Sequence, residues 1–200
     1  MADDQDPIHI VHVDVLSSAY YPLKKVTYEQ RDPDGKRQVQ TREVYDGASG
    51  AAVLLYNRQH RSVVLTRQFR IGARLAGHHG FLLEAAAGVL DGAPPAQRAR
   101  EEAFEETGYA LEHLEPVLEL FVSPGSTTER LHLFVAEYDR ARRSGPGGGL
   151  ADEGESIEVV ELDFDDALAM IKTGEILDIK TVLLLRHLES TVLGRHGEAS

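Results

Sequence analysis

The chain has 200 residues, 33 Asp and Glu against 21 Lys and Arg, a formal net charge of −12 and no cysteine. This length suits one domain or one domain with an appendage. The charge argues against a broad nucleic-acid surface, and the lack of cysteine excludes disulfides and thiol chemistry. No apolar run approaches the roughly 18 residues that span a bilayer. The acidic start MADDQDP is no signal peptide, so the expected location is the cytoplasm.

In chain order, residues 8–15 (IHIVHVDV) alternate and are β-branched, which predicts a strand. Residues 23–30 and 38–45 predict two more, joined by RDPDGK, in which Pro presets φ and Gly supplies a positive φ. Together they form an expected antiparallel meander. Residues 51–56 and 62–68 predict a hairpin around a polar turn at 57–61, and residues 81–86 a further apolar strand. After a turn over 88–92, Pro near the start and Gly108 past the end predict a helix over about 95–107.

Beyond it, residues 115–122, 131–138 and 157–162 read as strands, with the turn-rich SPGSTTER between the first two. Residues 140–156 are Gly-rich and expected to form a mobile loop. Helices are expected over 167–172, capped by Asp163 with Asp165 or Asp166, and over 179–192. The fold class is α+β.

The helix over 95–107 carries Glu101, Glu102, Glu105 and Glu106. Residues three and four apart share a face, so Glu102 and Glu106 point one way with Glu101 and Glu105 beside them, and like charges so placed cost about 0.2–0.5 kcal/mol per pair. Acids at a helix C-terminus also oppose the macrodipole. Such a cluster reads either as a solvated face or as ligands of a divalent cation. A Gly-bounded loop leading from a buried strand into the helix favours the cation, because it sets carboxylates beside a strand-end carbonyl. Hard oxygen donors suit Mg²⁺, with Mn²⁺ as the alternative, and the reaction class is metal-assisted attack of water on a phosphoryl group.

GVLDGAPPAQRAREEAFEETGY resembles the signature box of the Nudix hydrolases. Counting back from Gly108, Glu106, Glu105, Ala103 and Glu102 match. Glu101 stands at the arginine position with Arg100 one place off, Gly88 is one residue too close, and Ala93 or Pro94 replaces the upstream glutamate. Across nearly the whole chain, REVYD, VVLTRQFR, EAAAGVLD, FVAEYDR, MIKTGEI and KTVLLL resemble the GDP-mannose-cleaving members of the nucleoside-diphosphate-sugar branch, which also contains ADP-ribose pyrophosphatases. A shortened box is shared by that subgroup.

The resemblance implies a Nudix α/β/α sandwich with a mixed sheet, with residues 1–46 as a dimerising, strand-exchanged N-terminal meander and 47–200 as the hydrolase domain. It implies a homodimer that hydrolyses GDP-mannose to GMP and mannose 1-phosphate, with ADP-ribose hydrolysis to AMP and ribose 5-phosphate as the alternative. A catalytically silent nucleotide-sugar binder is the reading from another class. The implied metal ligands are Glu102, Glu106 and the Ala87 carbonyl, with Glu105 supporting and Glu101 a spectator. The implied general base or completing ligand is Glu153 or Glu155, the register favouring Glu155. Tyr20, Arg70, Ala87, Gly88, Glu129 and Lys180 match substrate-contacting positions, and Arg42 and Glu43 positions reaching the partner's site. By their chemistry alone Tyr20, Arg70, Glu129 and Lys180 read equally as surface or packing residues. His78 and His79, being adjacent, are expected to face different ways as a loop pair.

Overall fold

A computed structural model describes residues 6–150 and 156–194. The chain divides into two compact units. The described residues up to Ser49 with Leu120–Arg130 form one, and residues 50–119 and from Leu131 onward form the other.

In the first unit, β1 (Ile8–Ser17), β2 (Leu23–Arg31) and β3 (Arg37–Tyr45) make an antiparallel sheet in that order. The turn between β2 and β3 closes as its residues dictate: Gly35 has φ +81°, and Lys36 N–H donates to the Asp32 carboxylate at 2.8 Å. Every residue of β1 is exposed.

The second unit is built on β4 (Gly50–Asn57) and β5 (Ser62–Phe69). Every β4 residue is buried, as expected of a strand covered on both faces. A short helix α1 (Ile71–Leu75), not foreseen from the sequence, leads to β6 (Phe81–Glu84) and β7 (Ala86–Val89). Then come α2 (Pro95–Glu102), continued by a π-helical turn at Ala103–Thr107, and β8 (Glu115–Phe121), β9 (Arg130–Glu137), β10 (Glu158–Asp163), α3 (Phe164–Thr173) and α4 (Ile179–Ser190). The sheet order is β10-β5-β4-β9-β8, with β6 on β5 and β7 on β4. β4 and β9 run parallel, whereas β10 with β5, β4 with β5, β4 with β7 and β5 with β6 pair antiparallel, so the sheet is mixed and the fold α+β as expected.

The structure corrects three expectations. The strand foreseen over 81–86 breaks at Ala85 and changes partner, β6 pairing with β5 and β7 with β4. The break is held by Ala85 N–H donating to Thr181 Oγ1 at 2.7 Å, a bond no local pattern announces. Gly88, read as the start of a turn, is still paired in the strand opposite Ala51. The glycine-rich stretch read as mobile is pinned where it is described: Gly148 and Gly149 N–H donate to the carbonyls of Glu106 (2.8 Å) and Glu105 (3.1 Å). No helix among the described residues is long and apolar enough to cross a membrane.

Candidate active site

The acidic helix is placed by its smallest residues. Ala99 and Ala103 are fully buried in a cluster with Ala51, Val53, Ala86 and Phe134. Alanines on both surfaces let the helix lie close to β4 and β7. At the closest approach Gly88 has no side chain, and a Cβ there would meet Glu102 Oε1 at 1.5 Å. The Glu102 carboxylate therefore rests against the backbone of β7, one residue from Ala87.

Glu102 and Glu106 are 4 % and 1 % exposed, whereas Glu101 and Glu105 are partly exposed. The split between an inward and a flanking pair is the one the helical spacing predicts. Glu106 Oε2 accepts from Thr66 Oγ1 at 3.4 Å. Thr66 also donates to the Glu84 carbonyl at 3.2 Å, so β5 ties the acidic helix to the end of β6.

The helix end solves the problem of its orphan carbonyls. Gly108 takes φ +79°, the left-handed cap. Its carbonyl accepts from Ser144 and Gly145 N–H at 3.0 and 3.1 Å, and Gly148 and Gly149 take the Glu106 and Glu105 carbonyls. The loop passes so near that a Cβ on Gly108 would meet the Gly145 carbonyl oxygen at 2.2 Å. Ile157 N–H returns to the Gly148 carbonyl at 3.2 Å, so the chain on both sides of residues 151–155 is anchored at this helix end. Glu153 and Glu155 lie outside the described residues.

Arg98, one turn upstream of the glutamates, supplies their countercharge. Its guanidinium ion-pairs with Glu102, with Glu101 at 3.5 Å and with Glu105 at 3.9 Å. Burial works against its charge, but Glu102, Glu105 and Glu101 outweigh this and hold it above the ordinary arginine value. The expected like-charge repulsion is thus offset from one turn upstream. The signal was present, because Arg98 stands three and four residues before Glu101 and Glu102.

A second cluster involves Arg70 and Lys180. Glu84, 3 % exposed and unassigned from sequence, receives Lys180 Nζ on Oε1 at 2.9 Å and Arg70 Nε on Oε2 at 2.8 Å. Lys180 also reaches Asp178 at 2.9 Å. Burial lowers the Lys180 pKa, but the Glu84 and Asp178 carboxylates more than reverse this and raise it above the usual lysine value.

Tyr20, Arg42, Glu43 and Glu129 belong to the first unit. Tyr20 is exposed, its ring edge-on to Tyr21 at 4.6 Å. Arg42 and Glu43 are exposed on β3, Arg42 Nη2 donating to Gln40 at 2.8 Å. Glu129 is partly exposed just before β9. His78 and His79 depart from expectation: their rings lie together, centroids 3.8 Å apart and planes tilted by 38°, in a loop with positive φ at Gly77 and Gly80.

Metal capacity follows from the donors. Among the described residues no three Asp, Glu or His side chains form a ready cage. Two buried carboxylates on one helix face, seated against a strand, are nonetheless the hard oxygen donors that suit Mg²⁺. Further donors would come from backbone carbonyls, water or substrate. The residues present fit a divalent cation, and Glu102 and Glu106 would hold it.

Comparison with known proteins bears on the family. Residues 7–45 match the model for the GDP-mannose pyrophosphatase NudK N-terminal domain, and residues 47–184 match the NUDIX domain. A GDP-mannose pyrophosphatase from Cronobacter sakazakii is 49% identical over 91% of this chain and 95% of its own. Proteins of the same name from Klebsiella pneumoniae (46% identical, 93% of each chain) and Pectobacterium atrosepticum (48%, covering 90% of this chain and 93% of its own) align equally broadly. With the domain model covering 47–184 and such relatives spanning nearly the whole chain, this protein belongs to the Nudix family.

Proposed function

We propose that the protein is a divalent-cation-dependent pyrophosphatase that hydrolyses GDP-mannose to GMP and mannose 1-phosphate. The observation that carries the reading is the buried Glu102–Glu106 pair held against β7 within a Nudix domain. The names of the relatives supply the substrate.

Glu102 and Glu106, with the Ala87 carbonyl, would hold Mg²⁺, and Glu105 would support them. The bound cation supplies charge neutralisation for the diphosphate and acidifies water. Gly88 leaves room for Glu102 and for substrate beside the strand. Arg70, whose Nη groups make no hydrogen bond to a described residue, offers its fork to phosphate. Lys180, through Glu84, steadies that region. Glu155 or Glu153 takes the proton of the attacking water. The water oxygen ends on one phosphorus, and the bridging oxygen leaves with the other phosphate. Tyr20 and Glu129 contact the nucleotide sugar, while Arg42 and Glu43 serve the site of a second copy.

The N-terminal meander (residues 1–46) mediates a homodimer and residues 47–200 carry the chemistry. Supporting this, β1 is an edge strand that exposes Ile8, Ile10, Val11, Val13, Val15 and Leu16. An apolar open edge calls for a partner strand. A cytoplasmic location suits a nucleotide-sugar substrate.

The test is turnover of GDP-mannose, ADP-ribose and other diphosphosugars with and without Mg²⁺. Metal-dependent release of GMP, fastest from GDP-mannose, is expected. Release of GDP would overturn the diphosphate cleavage, and tight binding without turnover would favour a silent binding module.

A further inference from the structure

Glu84 ends β6, and a carboxylate buried to that degree is costly unless paired. It gives one oxygen to each of two cations from different elements. Arg70 follows β5 and Lys180 lies in the first turn of α4. Glu84 and Asp178 together balance Arg70 and Lys180, so the group sums to zero charge. Buried ion pairs of this kind are weak evidence for stability, since apolar residues of similar volume often serve as well. Their geometry is more informative. Glu84 holds Arg70 by Nε alone, and the Arg70 side chain is 42 % exposed. That leaves Nη1 and Nη2, the two donors that pair with phosphate oxygens, without a hydrogen bond to a described residue. The other end of Glu84 is fixed by Lys180, itself anchored to Asp178, which caps α4 through Thr181 N–H at 3.0 Å.

We infer that Glu84 is a positioning residue for the diphosphate: it clamps Arg70 through Nε so that both Nη donors are presented as a fork, and braces that clamp on Lys180. The inference rests on the placement of Arg70 at the diphosphate made above. Because the cluster is neutral overall, anion capture here depends on donor direction and not on net positive charge. This sets the sign of the test. Glu84→Gln keeps the shape and makes the cluster more positive by one unit. A site working by net charge binds substrate more tightly after that change, and a site working by direction binds it more weakly.

The experiment measures KM and kcat for GDP-mannose with Mg²⁺, and the inhibition constant of GMP, in wild type, Glu84→Gln, Arg70→Ala and the double variant, with thermal melts to establish folding. KM and the GMP constant are expected to rise about tenfold or more in Glu84→Gln, as for loss of a hydrogen bond to a charged group, with a smaller change in kcat. The double variant should be no worse than Arg70→Ala, because both changes remove the same fork. An unchanged or lower KM in folded Glu84→Gln, with Arg70→Ala impaired, overturns the inference alone. An unimpaired Arg70→Ala overturns the placement of Arg70 itself. If Glu84→Gln does not fold, Glu84→Asp decides: it keeps the charge and Arg70 but draws the carboxylate back from Nε. A raised KM then supports the clamp, and a wild-type KM overturns it.

Discussion

The Glu102 carboxylate occupies the space that a side chain on Gly88 would take: a Cβ there would lie 1.5 Å from Oε1 and 2.2 Å from Cδ. Both partners are fixed, Gly88 by its pairing with Ala51 and Glu102 by the buried Ala99 and Ala103 beside it. Gly88→Ala should therefore push Glu102 aside by about an ångström, a misplacement associated with roughly a hundredfold loss of rate. The Mg²⁺ concentration for half-maximal activity should rise with it. Wild-type values for both would show that the position of Glu102 is not critical.

Glu106→Gln should lower kcat by about a thousandfold or more, in the range seen when a central catalytic group is removed. Gln keeps an acceptor for Thr66 Oγ1 and removes a negative charge four residues from Glu102. The metal-free melting midpoint should hold or rise. Undiminished turnover removes Glu106 from the mechanism.

Arg98→Ala leaves Glu101, Glu102 and Glu105 without their shared cation. The metal-free protein should lose about 1 kcal/mol, between the values for exposed and buried pairs. Added Mg²⁺ should then raise the melting midpoint more in the variant than in wild type. An equal Mg²⁺ shift in both proteins contradicts a role for Arg98 as the countercharge.

Lys180 sets a pH dependence. Its folded pKa is raised, so its stabilising contribution is complete below the unfolded lysine value of about 10.4 and fades as pH climbs through the folded value. Lys180→Met leaves Glu84 and Asp178 buried with a lost partner and should cost about 3–5 kcal/mol at neutral pH. In urea unfolding, the gap between wild type and variant should narrow above about pH 10. A gap that stays constant to pH 12 shows that the ionised amine is not what stabilises the cluster.

Sedimentation should show a dimer, and deletion through β1 a monomer with exposed β2. Arg42→Ala should weaken substrate binding if the exposed β3 arginine serves the second copy's site. A fully active monomer contradicts both assignments.

Local patterns carried most of the element list. Alternation in 8–15 and the strands read at 23–30 and 38–45 around RDPDGK match β1 to β3, and the Pro and Gly punctuation bounds the acidic helix. The helical period also separated Glu102 and Glu106 from Glu101 and Glu105, and the box they belong to pointed to the Nudix family. These are properties of residues within one or two turns of each other, so the sequence by itself determined them. The break at Ala85, the seat of Glu102 on Gly88, the capping of the acidic helix by Gly145 to Gly149 and the joining of Arg70 to Lys180 through Glu84 were decided only by the tertiary structure. Each joins residues that are neighbours only across strands, helices and loops, and Glu84 and Lys180 are 96 positions apart. Burial supplies the reason for their pairing: away from water, carboxylates, cations and helix-end carbonyls must find partners, and which partners lie within reach is settled by how the elements pack.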